Sequence, residues 1–194
     1  MGTKNCGCGL NWAEQTMKKA KSLVDSGSFL VLGISGDEKK LPFVYTVGCA
    51  YYGFPEIIFV GNAPANLITP LFNDLFEKWK TDGVRLGMVK EIIKFKNKET
   101  GQSVDYFINL EQIENTTFFE NYGFQTRAFY KKHPEYLVRA GYKNASCISV
   151  VQFMLPDTNG VFPGEKGFNA VDIYQPVLPR VKKEDFPRST DFMH

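Results

Sequence analysis

The residue types that catalytic centres need are scarce in this chain, and histidine is among the scarcest. A serine, cysteine or threonine nucleophile requires a neighbouring base and a group that orients the base. The 194 residues contain two histidines: His133 precedes a proline in a charged stretch, and His194 is the last residue of the sequence. The sequence therefore disfavours a Ser-His-Asp hydrolase, and it leaves open whether the protein is an enzyme.

Glycine-rich segments of the chain do not have the spacing of phosphate-binding loops. Residues 33–36 and 48–53 contain glycines, but neither segment follows the Walker pattern, and no G-x-G-x-x-G pattern opens a helix. We therefore exclude a Walker or Rossmann nucleotide site.

Cys6 and Cys8 form a pair of neighbouring thiols in the order Cys-Gly-Cys-Gly. Zinc sites usually pair cysteines with at least two intervening residues, and only Cys49, Cys147 and the two histidines remain to complete such a site. We predict no metal site and interpret these thiols as incidental; a zinc-dependent role for them is the alternative. Four cysteines are too few for a disulfide scaffold, which favours the reducing cytoplasm.

Polar residues inside apolar strands are the most informative feature of the sequence. Successive side chains of a strand point to opposite faces, so Tyr45 and Thr46 place at least one hydroxyl group inside, where it needs a partner. A bound ligand could be that partner. The alternative is that Tyr45 bonds a backbone carbonyl and that Gly48 is a bulge or packing site. Glu56, the only charge in its strand region, is open to the same two interpretations.

Hydrophobic periodicity predicts the elements that position these residues. In chain order we expect a helix (11–27), a strand hairpin (29–34 and 42–50), a buried strand (56–60), a helix (67–79), a second hairpin (83–97 and 103–110), two short helices within 113–140, a strand (147–155), a turn (156–160) and a short strand near 172–174. Strands and helices do not alternate regularly. The predicted fold class is therefore α+β, with a small antiparallel, split-barrel-like sheet and flanking helices.

The chain is predicted to form one domain, residues 1–194. It consists of a Cys/Gly leader (1–10), a core (28–178) and a polar tail (180–194) that is either mobile or docked on a partner subunit of a homodimer.

Composition and charge exclude several classes of protein. The chain is 43% hydrophobic and 23% charged, which is typical of a packed domain. Its 23 basic residues nearly balance its 21 acidic ones, and this disfavours a broad nucleic-acid surface. No apolar run reaches the roughly 18 to 20 residues of a membrane span, and no apolar signal segment follows the N-terminus. We therefore predict a cytoplasmic protein without a membrane partner.

The order of several short motifs resembles a known family. Pro-Phe-Val-Tyr-Thr-Val-Gly (42–48) is followed by Gly-Phe-Pro-Glu-Ile (53–57), by a segment containing Pro-Asp-Thr-Asn-Gly-Val-Phe-Pro (156–163) and by Gln-Pro-Val-Leu (175–178). This order resembles an uncharacterised family of bacterial and phage proteins called domain of unknown function 4262, over about residues 28–178. The resemblance implies no established reaction.

A more distant resemblance concerns the ligand. The succession of a Thr-bearing strand, a buried strand, Gly-Asn and a helix resembles the opening of flavin-reductase-type split barrels, in which this region contacts a flavin phosphate. That resemblance implies a ligand near Tyr45, Thr46, Gly48, Asn62 and Asn66, with flavin mononucleotide as the candidate cofactor.

Two functions are compatible with these observations. The favoured one is a protein that binds a small flavin- or nucleotide-like ligand on the sheet, with or without catalysis. The alternative is a phage or mobile-element protein that binds and inhibits one host protein without catalysis, which the aromatic stretch 118–130 suggests. A homodimer is compatible with either function.

Overall fold

Strands and helices in the computed structural model follow the predicted order closely; the structure describes residues 8–96, 103–171 and 173–181. The strands are β1 (Leu30–Ile34), β2 (Phe43–Val47), β3 (Glu56–Val60), β4 (Gly87–Lys96), β5 (Ser103–Gln112) and β6 (Val150–Met154). The helices are α1 (Cys8–Asp25), α2 (Ala65–Asp82), α3 (Asn115–Asn121), α4 (Phe124–Lys132) and α5 (Pro134–Arg139). Short 3-10 turns occupy Cys49–Tyr52 and Ala145–Cys147.

The six strands form one open sheet in the order β1-β2-β3-β6-β5-β4. Four neighbouring pairs are antiparallel, and only β3 and β6 pair in parallel. A parallel pair needs a long crossover connection, and here the chain between β3 and β6 carries α2, the β4–β5 pair and α3 to α5. The predicted α+β class is confirmed. The split-barrel resemblance is not confirmed, because β1 and β4 are edge strands at opposite sides of an open sheet.

Both faces of the central strands are covered. All five residues of β3 are buried, as expected for an almost wholly apolar strand in the middle of a sheet. One face packs on α2, whose buried residues recur at helical spacing: Ile68, Phe72, Leu75, Phe76 and Trp79. The other face packs on residues of α1, α3, α4 and α5, including Val24, Phe118, Phe129, Tyr130 and Leu137. None of the helices among the described residues is both long and apolar enough to cross a membrane.

The region between β5 and β6 contains three helices, so the prediction of two is wrong. Gly123 separates α3 from α4, at a point where an added Cβ would lie 2.2 Å from the ring of Phe118. Pro134 then begins α5, because proline fits the first turn of a helix but not its interior.

The segment after the predicted turn is held by side chains instead of strand pairing. Residues 173–179 form no strand, and Asp172 lies outside the described residues. Gln152 donates from Nε2 to the Pro176 carbonyl (2.6 Å) and accepts from the Leu178 N–H (2.9 Å). Of the predicted leader, residues 1–7 lie outside the described chain and Cys8 already begins α1; of the tail, residues 182–194 lie outside it.

Candidate functional site

A fully buried carboxylate, that of Glu56, lies where β2 ends and β3 begins. Its Oε1 accepts hydrogen bonds from the backbone N–H groups of Gly48 (3.0 Å) and Ala50 (3.1 Å) and from the Tyr130 hydroxyl (2.7 Å). Its Oε2 accepts from the Thr46 hydroxyl (2.6 Å). We call these five residues the Glu56 centre. It joins β2, β3, the Cys49–Tyr52 turn and α4 through a single side chain.

The hydroxyl groups of the Glu56 centre have fixed orientations. Thr46 Oγ1 already accepts from the Ile57 N–H (2.8 Å), so its own proton points to Glu56. The backbone carbonyl of Thr46 accepts from the Thr126 hydroxyl of α4 (2.8 Å), which ties the helix to the same strand. All four groups that contact the carboxylate therefore act as donors, an arrangement suited to an ionised acid.

Burial dominates the electrostatics of the Glu56 centre. Removal from water raises the pKa of Glu56 above its ordinary value, and the hydrogen bonds from Thr46, Tyr130, Ala50 and Gly48 oppose that rise. Burial and the Glu56 charge together raise the pKa of Tyr130 well above its ordinary value. The phenol therefore remains a donor at neutral pH.

Two cysteines lie near this end of the sheet in different environments. Cys49 is buried, and both burial and the charge of Glu56 raise the pKa of its thiol well above the ordinary value. Its thiolate, the nucleophilic form, is therefore disfavoured. Cys147 is an exposed free thiol whose Sγ lies 3.5 Å from Asn144 Oδ1. Neither cysteine has the environment of an activated nucleophile.

Next to the Glu56 centre lies a group of three tyrosine rings, of which Tyr51 and Tyr52 are half-buried and Tyr136 is buried. The Arg139 guanidinium of α5 lies 5.0 Å from the ring centroid of Tyr51. Tyr51 also makes edge contacts with the rings of Tyr52 (4.8 Å) and Tyr136 (4.9 Å). Among the described residues Arg139 has no carboxylate at ion-pair distance. We call Tyr51 and Arg139 the tyrosine–arginine surface.

The residues predicted to contact a ligand occupy three separate places. Thr46 and Gly48 meet at the Glu56 centre. Tyr45 lies in the same core cluster as Tyr130 but is not one of the groups that hydrogen-bond Glu56. Its ring packs on Phe118, and burial raises its pKa to about 12 while the backbone of Gln125 opposes the rise.

Asn62 and Asn66 lie beyond the other end of β3, roughly 13 Å from its start at strand spacing. Both are exposed, and Asn62 Oδ1 accepts from the Tyr174 N–H (2.9 Å). The structure therefore brings together two of the five residues, and a common ligand for all five stays a prediction.

Several residues of this region escaped the sequence analysis. Tyr130 is 74 residues from Glu56 in the chain and Thr126 is 80 residues from Thr46, and a single sequence gives no sign that these pairs meet. Arg139 and Tyr51 are even further apart in the chain. The one local sign is the Tyr51-Tyr52 pair, which lies in the connection between the predicted strands 42–50 and 56–60, and connecting segments often carry functional residues.

A second buried carboxylate, that of Asp157, organises the turn after β6. Its Oδ1 accepts from the N–H groups of Asn159 (2.8 Å) and Val161 (2.9 Å), and its Oδ2 accepts from the N–H of Asn169 (2.8 Å). These bonds confirm the turn predicted at 156–160 and explain the Pro-Asp-Thr-Asn-Gly motif, since aspartate commonly caps its own turn.

Within the described residues, no three His, Cys, Asp or Glu side chains are arranged to hold a metal ion. Cys6 lies outside those residues, so its proposed pairing with Cys8 is not tested.

Comparisons with known proteins identify a family without an assigned activity. Neither a curated protein nor a solved structure matches the chain. The family model called Domain of unknown function (DUF4262) matches residues 24–169, which include the Glu56 centre, the tyrosine–arginine surface and the Asp157 turn. The chain therefore belongs to the DUF4262 family.

Proposed function

We propose that this protein binds a small planar anion of the flavin or nucleotide class on the tyrosine–arginine surface. The observation that carries the proposal is the Arg139 guanidinium 5.0 Å from the ring centroid of the half-buried Tyr51. The Arg139 guanidinium has no carboxylate at ion-pair distance among the described residues, so it can offer bidentate hydrogen bonds to phosphate. The half-buried Tyr51 ring beside it offers aromatic contact to a planar ring.

The Glu56 centre would act by positioning Tyr51. Glu56 accepts the N–H groups of Gly48 and Ala50, which begin the turn that carries Tyr51. The Tyr51 N–H donates to the Gly48 carbonyl (3.3 Å), and the Tyr51 ring packs on Tyr136 of α5 (4.9 Å between ring centroids). The turn is thus fixed on two sides, and a fixed aromatic ring binds with less loss of conformational entropy than a mobile one.

In this proposal Thr46 and Gly48 do not contact the ligand. They act indirectly, by helping to hold the Cys49–Tyr52 turn that carries Tyr51. Direct contacts from Tyr45, Asn62 and Asn66, a catalytic step, a homodimer and a cytoplasmic location all stay predictions. The alternative, inhibition of a host protein, has less support, because Phe118, Phe119, Phe129 and Tyr130 are buried. Phe124, 55% exposed, is the aromatic residue of that stretch that a partner could reach.

A binding titration tests the proposal. Flavin mononucleotide and adenosine monophosphate would be titrated by calorimetry into the intact chain, and we expect one of them to bind. Arg139→Ala should weaken that binding by about tenfold or more, since a charge-assisted hydrogen bond contributes about 1.5 to 3 kcal/mol. The matched control is Arg127→Ala, which removes an exposed cation from α4 and should leave the affinity unchanged.

The titrations can contradict the proposed site in two ways. Binding of neither compound, or equal losses in Arg139→Ala and Arg127→Ala, would contradict a specific site at this surface. A loss on Arg139→Ala together with an unchanged Asn62→Ala variant would also show that the ligand does not reach the other end of β3.

A further inference from the structure

A polar groove lies along the exposed side of α1, close to the end of that helix. It has a volume of about 490 Å³ and is lined by Lys18, Lys21, Ser22, Asp25 and Ser26. The first four residues recur at helical spacing and share one face of α1, and Ser26 directly follows the helix. Their polar ends are two ammonium groups, two hydroxyl groups and one carboxylate. The groove therefore suits a part of a ligand that is rich in hydrogen-bonding atoms.

The groove adjoins the tyrosine–arginine surface, and Tyr136 lies between them. The Tyr136 hydroxyl donates to Asp25 Oδ1 (2.5 Å), while the Tyr136 ring contacts the ring of Tyr51 (4.9 Å between centroids). Tyr52 makes a second connection, because its hydroxyl donates to the Val24 carbonyl of α1 (2.5 Å). These contacts hold Tyr51 at a fixed place relative to Asp25.

Asp25 presents a carboxylate that can accept further hydrogen bonds. Lys21 Nζ binds its Oδ2 (2.6 Å), and the Tyr136 hydroxyl binds its Oδ1. Each carboxylate oxygen has two lone pairs and so can accept one more donor. The Asp25 side chain is 46% exposed, so a ligand can reach it. Hydrogen bonds from Lys21 and Tyr136 hold the pKa of Asp25 below its ordinary value, which keeps the carboxylate ionised at neutral pH.

The charges of the groove favour a neutral donor at Asp25. Two lysines line the groove with a single carboxylate, and Lys18 has no carboxylate at ion-pair distance within the described part of the chain. A cationic ligand would be repelled by both lysines, whereas hydroxyl groups would not. Two adjacent sugar hydroxyls can each donate to one carboxylate oxygen, and acidic residues bind ribose hydroxyls in dinucleotide-binding proteins.

We propose that Asp25 binds the 2′- and 3′-hydroxyl groups of a ribose, so that the ligand is a ribonucleotide and not a flavin. This contact rests on the proposed function, in which the planar ring contacts Tyr51 and the phosphate binds Arg139. Separations of 5.0 Å from Arg139 to the Tyr51 ring and 4.9 Å from Tyr51 to Tyr136 keep the three binding groups within reach of one small molecule. A single half-buried ring also matches a nucleobase better than the three fused rings of a flavin.

Nucleotides with and without the two hydroxyl groups test this contact. Adenosine monophosphate, its 2′,3′-dideoxy analogue and flavin mononucleotide would be titrated by calorimetry into the intact chain. We expect adenosine monophosphate to bind more tightly than flavin mononucleotide and about tenfold more tightly than the dideoxy analogue, since hydrogen bonds to a charged group are among the stronger ones.

Asp25→Asn should remove the preference for the ribose hydroxyls. Adenosine monophosphate should bind this variant as weakly as the dideoxy analogue does. The affinity of the dideoxy analogue itself should stay unchanged, because it lacks the hydroxyl groups, and this also shows that the variant is folded. The matched control is Asp82→Asn, which alters a carboxylate of α2 in the same kind of i,i+4 pair with a lysine, Lys78 (2.9 Å), and should leave both affinities unchanged.

The results that overturn the ribose contact differ from those that overturn the proposed function. Equal affinities of the two adenosine compounds for the parent protein, or a preference that survives in Asp25→Asn, exclude the contact and leave the Arg139 site intact. Tighter binding of flavin mononucleotide than of adenosine monophosphate, or an equal loss in Asp82→Asn, also excludes it. Binding of none of the three compounds contradicts the proposed function as well.

Discussion

Glu56 and Asp157 are both buried carboxylates, yet they are built in opposite ways. Glu56 accepts hydrogen bonds from three elements, one of them a hydroxyl group 74 residues away in the chain. Asp157 accepts backbone N–H groups that lie 2, 4 and 12 residues further along its own loop. Glu56 thus links distant elements of the fold by hydrogen bonds, while Asp157 stabilises the conformation of a single loop.

The pKa values of Glu56 and Asp157 are shifted in opposite directions, because burial and hydrogen-bond donors balance differently at the two sites. Burial at the end of the central strands raises the pKa of Glu56 more than its four donors lower it. Burial also acts to raise the pKa of Asp157, but the N–H groups of Asn169, Val161 and Asn159 together hold it below its ordinary value. The backbone donors of the loop therefore outweigh burial at Asp157, whereas the donors around Glu56 do not outweigh burial in the core.

Replacing each carboxylate by alanine should give the largest difference in stability between the two sites. Glu56→Ala leaves the N–H groups of Gly48 and Ala50 and two hydroxyl groups without an acceptor inside the core, so we expect a loss of about 4 kcal/mol in the free energy of unfolding. Asp157→Ala should cost clearly less, because water can reach a loop. Urea unfolding followed by circular dichroism measures both.

Glu56→Gln is the control for this comparison. Its carbonyl oxygen can keep the three donors of Oε1, and its amide can donate to Thr46 Oγ1, so the loss should fall to about 1 kcal/mol. Equal losses in the alanine and glutamine variants would show that the charge, and not the acceptor, holds this centre together.

Glycine substitutions test the packing around each carboxylate. Gly48 has φ +117, and an added Cβ would lie 2.4 Å from Val24 Cγ2, so Gly48→Ala should cost about 3 kcal/mol. Gly160 has φ +79 with no atom within 4 Å of the added Cβ, so Gly160→Ala should cost only about 1 kcal/mol. Similar midpoint shifts for both variants in urea unfolding would contradict the packing argument.

Removal of a single donor should have a smaller effect. Tyr130→Phe takes away one hydrogen bond to Glu56 and keeps the ring, for an expected loss of about 1.5 kcal/mol. Tyr45→Phe is the matched control, a buried tyrosine of the same core whose hydroxyl does not contact a carboxylate. A larger loss in Tyr45→Phe would argue against the Glu56 centre as the main polar contact of this core.

The sequence predicted elements well where the pattern is local. The limits of β3 and the helix at α2 follow from unbroken hydrophobic periodicity, and the Asp157 turn follows from its residue types. The order of the strands in the sheet could not be predicted, because the parallel pairing of β3 with β6 joins segments almost 100 residues apart. An isolated sequence carries no signal for that contact.

The candidate site shows the same limit. Thr46, Gly48 and Glu56 stood out because a polar or glycine residue in a buried strand requires an explanation. The fourth side of this centre, Tyr130, donates to Glu56 and belongs to an aromatic stretch whose rings are equally suited to a core or to a surface. The split-barrel resemblance groups Asn62 and Asn66 with Thr46, although β3 separates them, because Thr46 lies beside its first residues and the two asparagines follow its last one.

The smallest effect we expect is a difference in pH dependence, and it has opposite signs at the two carboxylates. Because folding raises the pKa of Glu56, the folded protein binds the proton more tightly than the unfolded chain. The contribution of Glu56 to stability therefore falls as pH rises from about 4.5, its ordinary pKa, through the raised value. Asp157 behaves conversely: its contribution is present above its ordinary pKa of 3.8 and is lost as pH falls through the lowered value.

The measurement is the free energy of unfolding at pH 3 to 8 for the parent protein, Glu56→Gln and Asp157→Asn. The difference between each variant and the parent gives the pH-dependent contribution of that carboxylate to stability. The Glu56 difference should shrink as pH rises above 4.5, and the Asp157 difference should shrink as pH falls below 3.8. If the difference in unfolding free energy between the parent protein and Glu56→Gln grows with pH instead, the four hydrogen-bond donors lower the pKa of Glu56 more than burial raises it. The core would then hold a stable anion. The two carboxylates would then differ only in the origin of their donors, which come from distant elements for Glu56 and from one loop for Asp157.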